Sequence, residues 1–280
     1  MSNTTTPLEE SDSTSSNNKK LTLQEKAKKE GKELISALFW ALLVAGIIRT
    51  FVFEPFTIPS GSMVPTLLVG DYIYVDKYAY GYSRWSFPWG YPAFSGRLFF
   101  SEPQKGDIIV FKAPKKGDDK FYIKRLVGNP GDTVQMIGGQ LHINEKKLPL
   151  TAAGSYTYID ENTGRTFEMQ KFLETLPNGV KHYLIKFNAF GHGHYDNTIA
   201  YHLPDKHYFM MGDNRDFSGD SRSRFTMGDI PEDKLIGKAL FVFFSTTAKW
   251  YQIFKWIEGI RYERIFKGLY NLSWQTKKIS

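Results

Sequence analysis

The sequence predicts a mainly β protein: an antiparallel sheet or barrel-like domain behind one N-terminal transmembrane helix, with an amphipathic helix at the C-terminal end. Three observations carry this. Eight short runs are rich in Val, Ile, Tyr and Phe, the composition of strands: DYIYV (71–75), GDIIVF (106–111), KFYIKRLVG (120–128), DTVQMI (132–137), QLHIN (140–144), HYLIKF (182–187), HYFMMG (207–212) and KALFVFF (238–244). Between them NPGD, GG, PNG and GDN supply the dihedrals that turns need. Ahead of them, residues 34–53 hold 20 residues with one charge, Arg49. At about 1.5 Å per residue such a helix covers the roughly 30 Å hydrocarbon core of a bilayer.

Taken in order, residues 1–18 are rich in Ser, Thr and Asn without periodic apolar positions, and residues 19–33 carry six lysines against three glutamates. Residues 1–33 are therefore read as a disordered, basic tail. The apolar run at 34–53 is longer than the roughly 7–15 residues of a signal-peptide core, so it is read as a retained anchor, with a buried core helix as the alternative. The lysines lie on its N-terminal side, and no Lys or Arg occurs between Thr50 and Asp76. The positive-inside rule then puts the N-terminus in the cytoplasm and the rest of the chain outside, as a single-pass protein of a membrane that borders the cytoplasm. Residues 54–248 form the β-rich domain. Within it, residues 85–100 (WSFPWGYPAFSGRLFF) combine aromatics with Pro and Gly and read as an extended hydrophobic loop. In residues 249–280, Trp250, Ile253, Ile257 and Ile260 fall at helical spacing, as in an amphipathic helix lying on a membrane surface.

Composition narrows the partners. The chain has 280 residues, 41% hydrophobic, with a net charge of +7 and no cysteine, which excludes thiolate nucleophiles and sulfur-built metal sites. Seven Lys and Arg against two Glu give residues 249–280 a net +5, among three of the six tryptophans. With the lysines beside the apolar 20-mer, this distribution points to membrane lipid and away from nucleic acid.

Three motifs carry chemistry. In FTIPSGSMVPTLLV (56–69), Pro59 and Pro65 stiffen the flanks of Ser60 and Ser62, which face the same way if the piece is extended, and Gly61 permits an unusual backbone angle. In KFYIKRLVG, alternation puts Lys124 and Arg125 on opposite faces, so one of the two turns inward if both faces are covered. A buried lysine loses its charge and becomes a base, which an arginine does not. MGDNRDFSGDSR (211–222) crowds Asp213, Asp216 and Asp220 with Arg215 and Arg222 among Gly and Ser, as an ion-paired brace beside an active site. It lacks the Gly and terminal Glu spacing of an EF-hand. His192 and His194 could share a strand face as metal ligands, but no histidine sits in a nucleophile context for a Ser-His-Asp hydrolase. The only Ser-x-x-Lys, Ser16 to Lys19, falls in the tail.

IPSGSMVPTL, YIKRLVGNPGD and GDNRDFSGDSR, in that order behind a membrane anchor, resemble the successive boxes of bacterial type I signal peptidases, or leader peptidases, over residues 34–245. These are Ser/Lys endopeptidases that remove signal peptides from exported preproteins. The resemblance implies Ser62 as nucleophile and Lys124 as general base, with Ser60 joining the Ser62 backbone N–H as oxyanion hole and Ser218 orienting the lysine. It implies Arg125, Asp213, Asp220 and Arg222 as braces. Phe56, Ile58, Met63, Leu67, Tyr122 and Ile123 are implied to line shallow pockets for small side chains at substrate positions −1 and −3. No cofactor or metal is implied. The chain departs from the family at Phe217, where Asn is usual. The non-enzymatic alternative is an anchored β module that binds exported polypeptides.

Overall fold

The computed structural model describes residues 11–87, 90–91, 93–115, 117–160, 163–187, 189–248 and 257–272, with side chains from residue 25 onward. The chain divides into two units at Arg49/Thr50.

The first unit is built on one helix, α1 (Ser11–Phe51). Its stretch from Glu25 to Phe51 is long and apolar enough to cross a membrane, with mean hydropathy 2.0 over its best window and none of that window buried. The helix begins earlier than expected: residues 11–33, read as disordered tail, are helical, while residues 1–10 lie outside the described set. The reason is local. Leu, Gln, Glu, Lys and Ala dominate residues 21–33, and such helix formers extend an existing helix without a new nucleation step.

The second unit is built on β-strands. β1 (Phe53–Thr57), β2 (Asp71–Asp76), β3 (Ile108–Lys112) and β4 (Phe121–Gly128) come first. β5 (Thr133–Ile137), β6 (Gln140–Ile143) and β7 (Lys146–Lys147) form a small meander. A long hairpin of β8 (Leu150–Ile159) and β9 (Thr166–Thr175) leads to β10 (Lys181–Lys186). β11 (Tyr201–His202), β12 (His207–Met211), β13 (Ile230–Pro231), β14 (Leu235–Ser245) and β15 (Lys267–Gly268) complete the order. The main sheet runs β1-β2-β14-β3-β4-β12-β13 with β15 on β14; a second runs β10-β9-β8 and a third β11-β5-β6-β7. Their pairings are antiparallel. Every strand expected from composition is present, and residues 85–100 hold no strand in their described part, as a loop requires.

The centre of the main sheet is covered on both faces. On β3, Ile108 and Val110 enter one apolar cluster with Ile58, Ile73 and Val75, whereas Ile109 and Phe111 enter another with Tyr80, Leu126 and Met210. Each such side chain contributes on the order of 1.5–3 kcal/mol by leaving water. β4 pairs directly with β3, Ile109 opposite Lys124 and Ile108 opposite Arg125. Two-sided cover therefore buries both cations, not one, with Lys124 3% and Arg125 2% exposed.

The C-terminal stretch differs from the expected amphipathic helix. Trp250 and Ile253 lie outside the described residues, but residues 257–272 form a turn, a bridge from Ile260 to Thr246, a short 3-10 turn and β15. Two cations expected at a membrane surface are instead tied to Asp71. Arg264, 2% exposed, clamps both Asp71 carboxylate oxygens and donates to the Thr66 carbonyl at 3.1 Å. Arg261 donates to the Val69 carbonyl and to Ser245 Oγ, each at 2.7 Å. These contacts reward a compact turn more than a helix broken by Gly259 and Gly268.

Because Asp71 is fully buried, removing Arg264 takes away its two-pronged cation and leaves the carboxylate only Arg261 at 3.4 Å, the Ser245 hydroxyl and the Leu68 N–H. Arg264→Leu is expected to lower unfolding stability by about 3–5 kcal/mol in urea titration. Asp71→Asn in the same chain should recover part of that loss; a change below about 1 kcal/mol for the single variant would count against this clamp.

Candidate active site

Ser62 sits in the 3-10 turn Gly61–Met63, just beyond β1, and is buried at 7% exposure. The turn begins at Gly61, so Ser60 and Ser62 do not share an extended face: Ser60 is exposed and makes no capping hydrogen bond, while Ser62 points inward. Gly61 is needed for room, not for an unusual φ, because a Cβ there would lie 2.5 Å from the Tyr158 hydroxyl. Two bonds from the 212–222 loop hold the turn. The Asn214 backbone N–H donates to the Ser62 carbonyl at 3.0 Å and its side-chain amide to the Gly61 carbonyl at 3.1 Å.

Lys124 reaches this turn from β4, and its Nζ is hydrogen-bonded to Ser62 Oγ. Burial removes solvent from the ammonium and brings the amine down to about 8, against the pull of Asp220 and Asp213 and with the help of Arg222. Arg125, one residue on, is treated differently. Its guanidinium forks onto Asp213 at 2.8 and 2.7 Å and also donates to the Gly106 carbonyl at 2.9 Å. Thr66 Oγ1 donates to the same carboxylate at 2.5 Å. Burial alone would raise the Asp213 carboxyl, but Arg125 outweighs it and holds the group below its ordinary value.

Asp220 and Arg222 form a second closed pair, with Nε and Nη2 both 2.8 Å from the carboxylate oxygens. Arg222 also donates to the Arg215 carbonyl at 2.7 Å, and Asp220 accepts from the Gly212 N–H at 3.0 Å. Asp220 too is held below its ordinary value, burial opposing and Arg222 prevailing. A Cβ at Gly212 would collide with Ser218 Oγ and the Ser62 carbonyl, so this glycine lets the loop close on the serine. Ser218 is buried where expected, yet among the described residues its Oγ has no hydrogen-bond partner and it does not hold the lysine amine.

The six expected pocket residues divide. Ile58, Met63 and Leu67 belong to one apolar cluster on which Phe56 and Ile123 pack. Met63 and Leu67 are fully buried in it, while Phe56 and Ile123, with Trp85, are partly buried against it. Tyr122 packs instead on the cluster containing Tyr80 and Phe111, with its ring stacked on Phe111 and its hydroxyl bonded to Asp118 at 2.9 Å.

Sequence reasoning missed the layer behind the site. Glu174 on β9 binds Arg215 at 3.1 and 2.6 Å and lies 3.3 Å from His182 on β10, which is itself 3.9 Å from Asp213. The Glu174 carboxyl is brought down to about 2, burial opposing and Arg215 and His182 prevailing. His182 is held below its ordinary value, chiefly by burial. Asn214 and Thr66 stand inside motifs already singled out and could have been found there. Glu174 carried no such signal.

The chain is similar to known proteins. The family model for signal peptidase, peptidase S26, matches residues 31–244. A signal peptidase I of Rickettsia typhi (strain ATCC VR-144 / Wilmington) is 40% identical over 264 residues, 88% of this chain and 97% of the relative. One of Rickettsia canadensis (strain McKiel) is 42% identical over 249 residues, 83% of this chain and 91% of its own. A crystal structure of a signal peptidase I from Enterococcus faecalis V583 aligns with 49% of this chain and 97% of its own, at 24% identity and TM-score 0.29. With the family model spanning the anchor, the Ser62 turn, β4 and the 212–222 loop, the chain belongs to the signal peptidase S26 family.

Proposed function

We propose that this chain is a membrane-anchored serine endopeptidase that cleaves signal peptides from exported preproteins through Ser62 and Lys124. The observation that carries the reading is the buried bond between Lys124 Nζ and Ser62 Oγ, in surroundings that favour the neutral amine. Serine is a weak nucleophile without a base within reach. The unprotonated Lys124 takes the Ser62 proton as Oγ attacks the scissile carbonyl, and returns it to the leaving amine. The resulting ester is opened by a water that Lys124 activates in turn. The developing oxyanion is taken by the Ser62 backbone N–H and by Ser60 Oγ, whose exposed hydroxyl is not used for capping; such a donor supplies about 2.7–4 kcal/mol.

The anchor is α1, with its lysine-rich end in the cytoplasm and the β unit on the outer side, close to membrane lipid. Phe56 and Ile123, over the floor of Ile58, Met63 and Leu67, receive the small side chains at −1 and −3; Tyr122 borders them through its neighbour Ile123. Arg125 with Asp213, and Asp220 with Arg222, keep the loop in place. Ser218 Oγ, buried without a partner, is left for the amine to use once the serine proton moves.

Ser62→Ala and Lys124→Ala are each expected to abolish cleavage of a preprotein carrying an Ala-x-Ala site while keeping native circular dichroism; either variant processing at the parental rate would overturn the assignment. Only the neutral amine is a base, so kcat/KM of the intact enzyme should rise with pH through about 8 and then level off.

The same burial makes Lys124 a stability cost. At pH 6 the lysine is protonated in both folded and unfolded chains, so the folded state carries the full penalty. That penalty fades between about 8 and 10.5, where the unfolded chain alone still binds the proton. Lys124→Met should therefore be inactive yet more stable than the parent at pH 6, by about 1–3 kcal/mol, in thermal or urea unfolding. A variant less stable than the parent at that pH would contradict the buried-charge account.

A further inference from the structure

Four aromatic rings gather beside the Ser62 turn, two of them on the three-stranded sheet. Tyr158 on β8 and Phe167 on β9 are cross-strand partners with ring centroids 6.3 Å apart. Phe217, the residue before Ser218, lies 5.5 Å from Tyr158 and 5.1 Å from Phe167. Phe187, just past β10, closes the group at 5.3 Å from Phe167 and 6.3 Å from Phe217. The group adjoins the catalytic turn, because Tyr158 is the ring that packs against Gly61.

The fold holds these rings in place. Ile185 N–H donates to the Asp213 carbonyl at 2.9 Å and Arg215 N–H to the Ile185 carbonyl at 3.0 Å, a parallel bridge that draws the end of β10 alongside the 213–217 loop. Asp216 then accepts from the Phe187 N–H at 2.8 Å and from Lys186 at 3.0 Å. Held in this way, Phe217 and Phe187 still leave 36% and 46% of their surface in solvent. Apolar surface of this kind, continuous with a catalytic turn, is what a bound chain covers.

The segment after Ser62 divides between two apolar groups. Met63 and Leu67 enter the cluster with Ile58 and Ile123, assigned above to −1 and −3. Val64 and Leu68 enter the cluster with Tyr158, Met169 and Ile185, on which Phe167 packs. A polypeptide cut at Ser62 extends to both sides of the scissile bond, and the second cluster is left for the part that follows it. We propose that Phe217, Phe187, Phe167 and Tyr158 form a subsite for an apolar or aromatic side chain at the second residue after the scissile bond. Phe217, which contacts Tyr158, Phe167 and Phe187 and remains 36% exposed, is its specificity-determining residue. This rests on the peptidase reading above.

The test uses the full-length protein in detergent and three peptides with one Ala-x-Ala site, differing only in Ala, Phe or Asp at the second position after the cut. The parent enzyme should prefer Phe over Asp by about tenfold in kcat/KM, the scale of one aromatic contact. In Phe217→Asn and, separately, Phe187→Ser, that ratio should fall to within about twofold of unity. A parent enzyme without the preference, or one whose preference survives in both variants, overturns the subsite. If the parent cleaves none of the three peptides, the peptidase reading itself fails.

Discussion

Lys124 and Arg125 are adjacent cations on a strand whose two faces are both covered, and the rest of the site follows from how each is compensated. Arg125 receives a carboxylate, a hydroxyl neighbour and a backbone carbonyl. Lys124 receives a serine hydroxyl. A buried ammonium with so little to meet it sheds its proton more easily, and a lysine that does so near 8 is matched to proton transfer in a way an exposed one is not. The cost is borne by the fold, which explains why so much closed charge pairing surrounds this one group.

The carboxylates near Lys124 would restore its proton if their charge were free to act. They are not free. Asp213 is closed by Arg125 and Thr66, and Asp220 by Arg222 and the Gly212 N–H. Arg222 offsets part of the Asp220 pull on the lysine, and burial prevails over the attraction that remains. The pairs also have a mechanical consequence. Asp213 precedes Asn214, whose two donors fix the carbonyls of Gly61 and Ser62, so the charge network behind the loop and the orientation of the serine turn are one structure. Glu174, Arg215 and His182 extend that network into β9 and β10.

Much of this was legible in the residues. The strands with alternating β-branched and aromatic side chains appear where composition placed them, and the three motifs converge on one turn because β4 and the 212–222 loop are joined through β12. What was hidden depended on distance in sequence. β8 and β9 mix Glu, Lys, Gly and Gln with their apolar residues, so neither they nor Glu174 stood out, although they back the site. The basic C-terminal stretch looked amphipathic because the buried partner of Arg264 lies 193 positions away. The alternation on β4 was readable, but two-sided cover, which buried both cations, came from strands that only the fold brings together.

The central claim is that Lys124 gives up its proton in the folded protein at about 8, well below an ordinary lysine. It is tested most directly by NMR titration of lysine side chains in the full-length protein in detergent micelles, with the Lys124 resonance assigned by its loss in Lys124→Arg. The account predicts one lysine titrating near 8, apart from the rest. A Lys124 resonance that titrates with the exposed lysines, near 10.5, would contradict it.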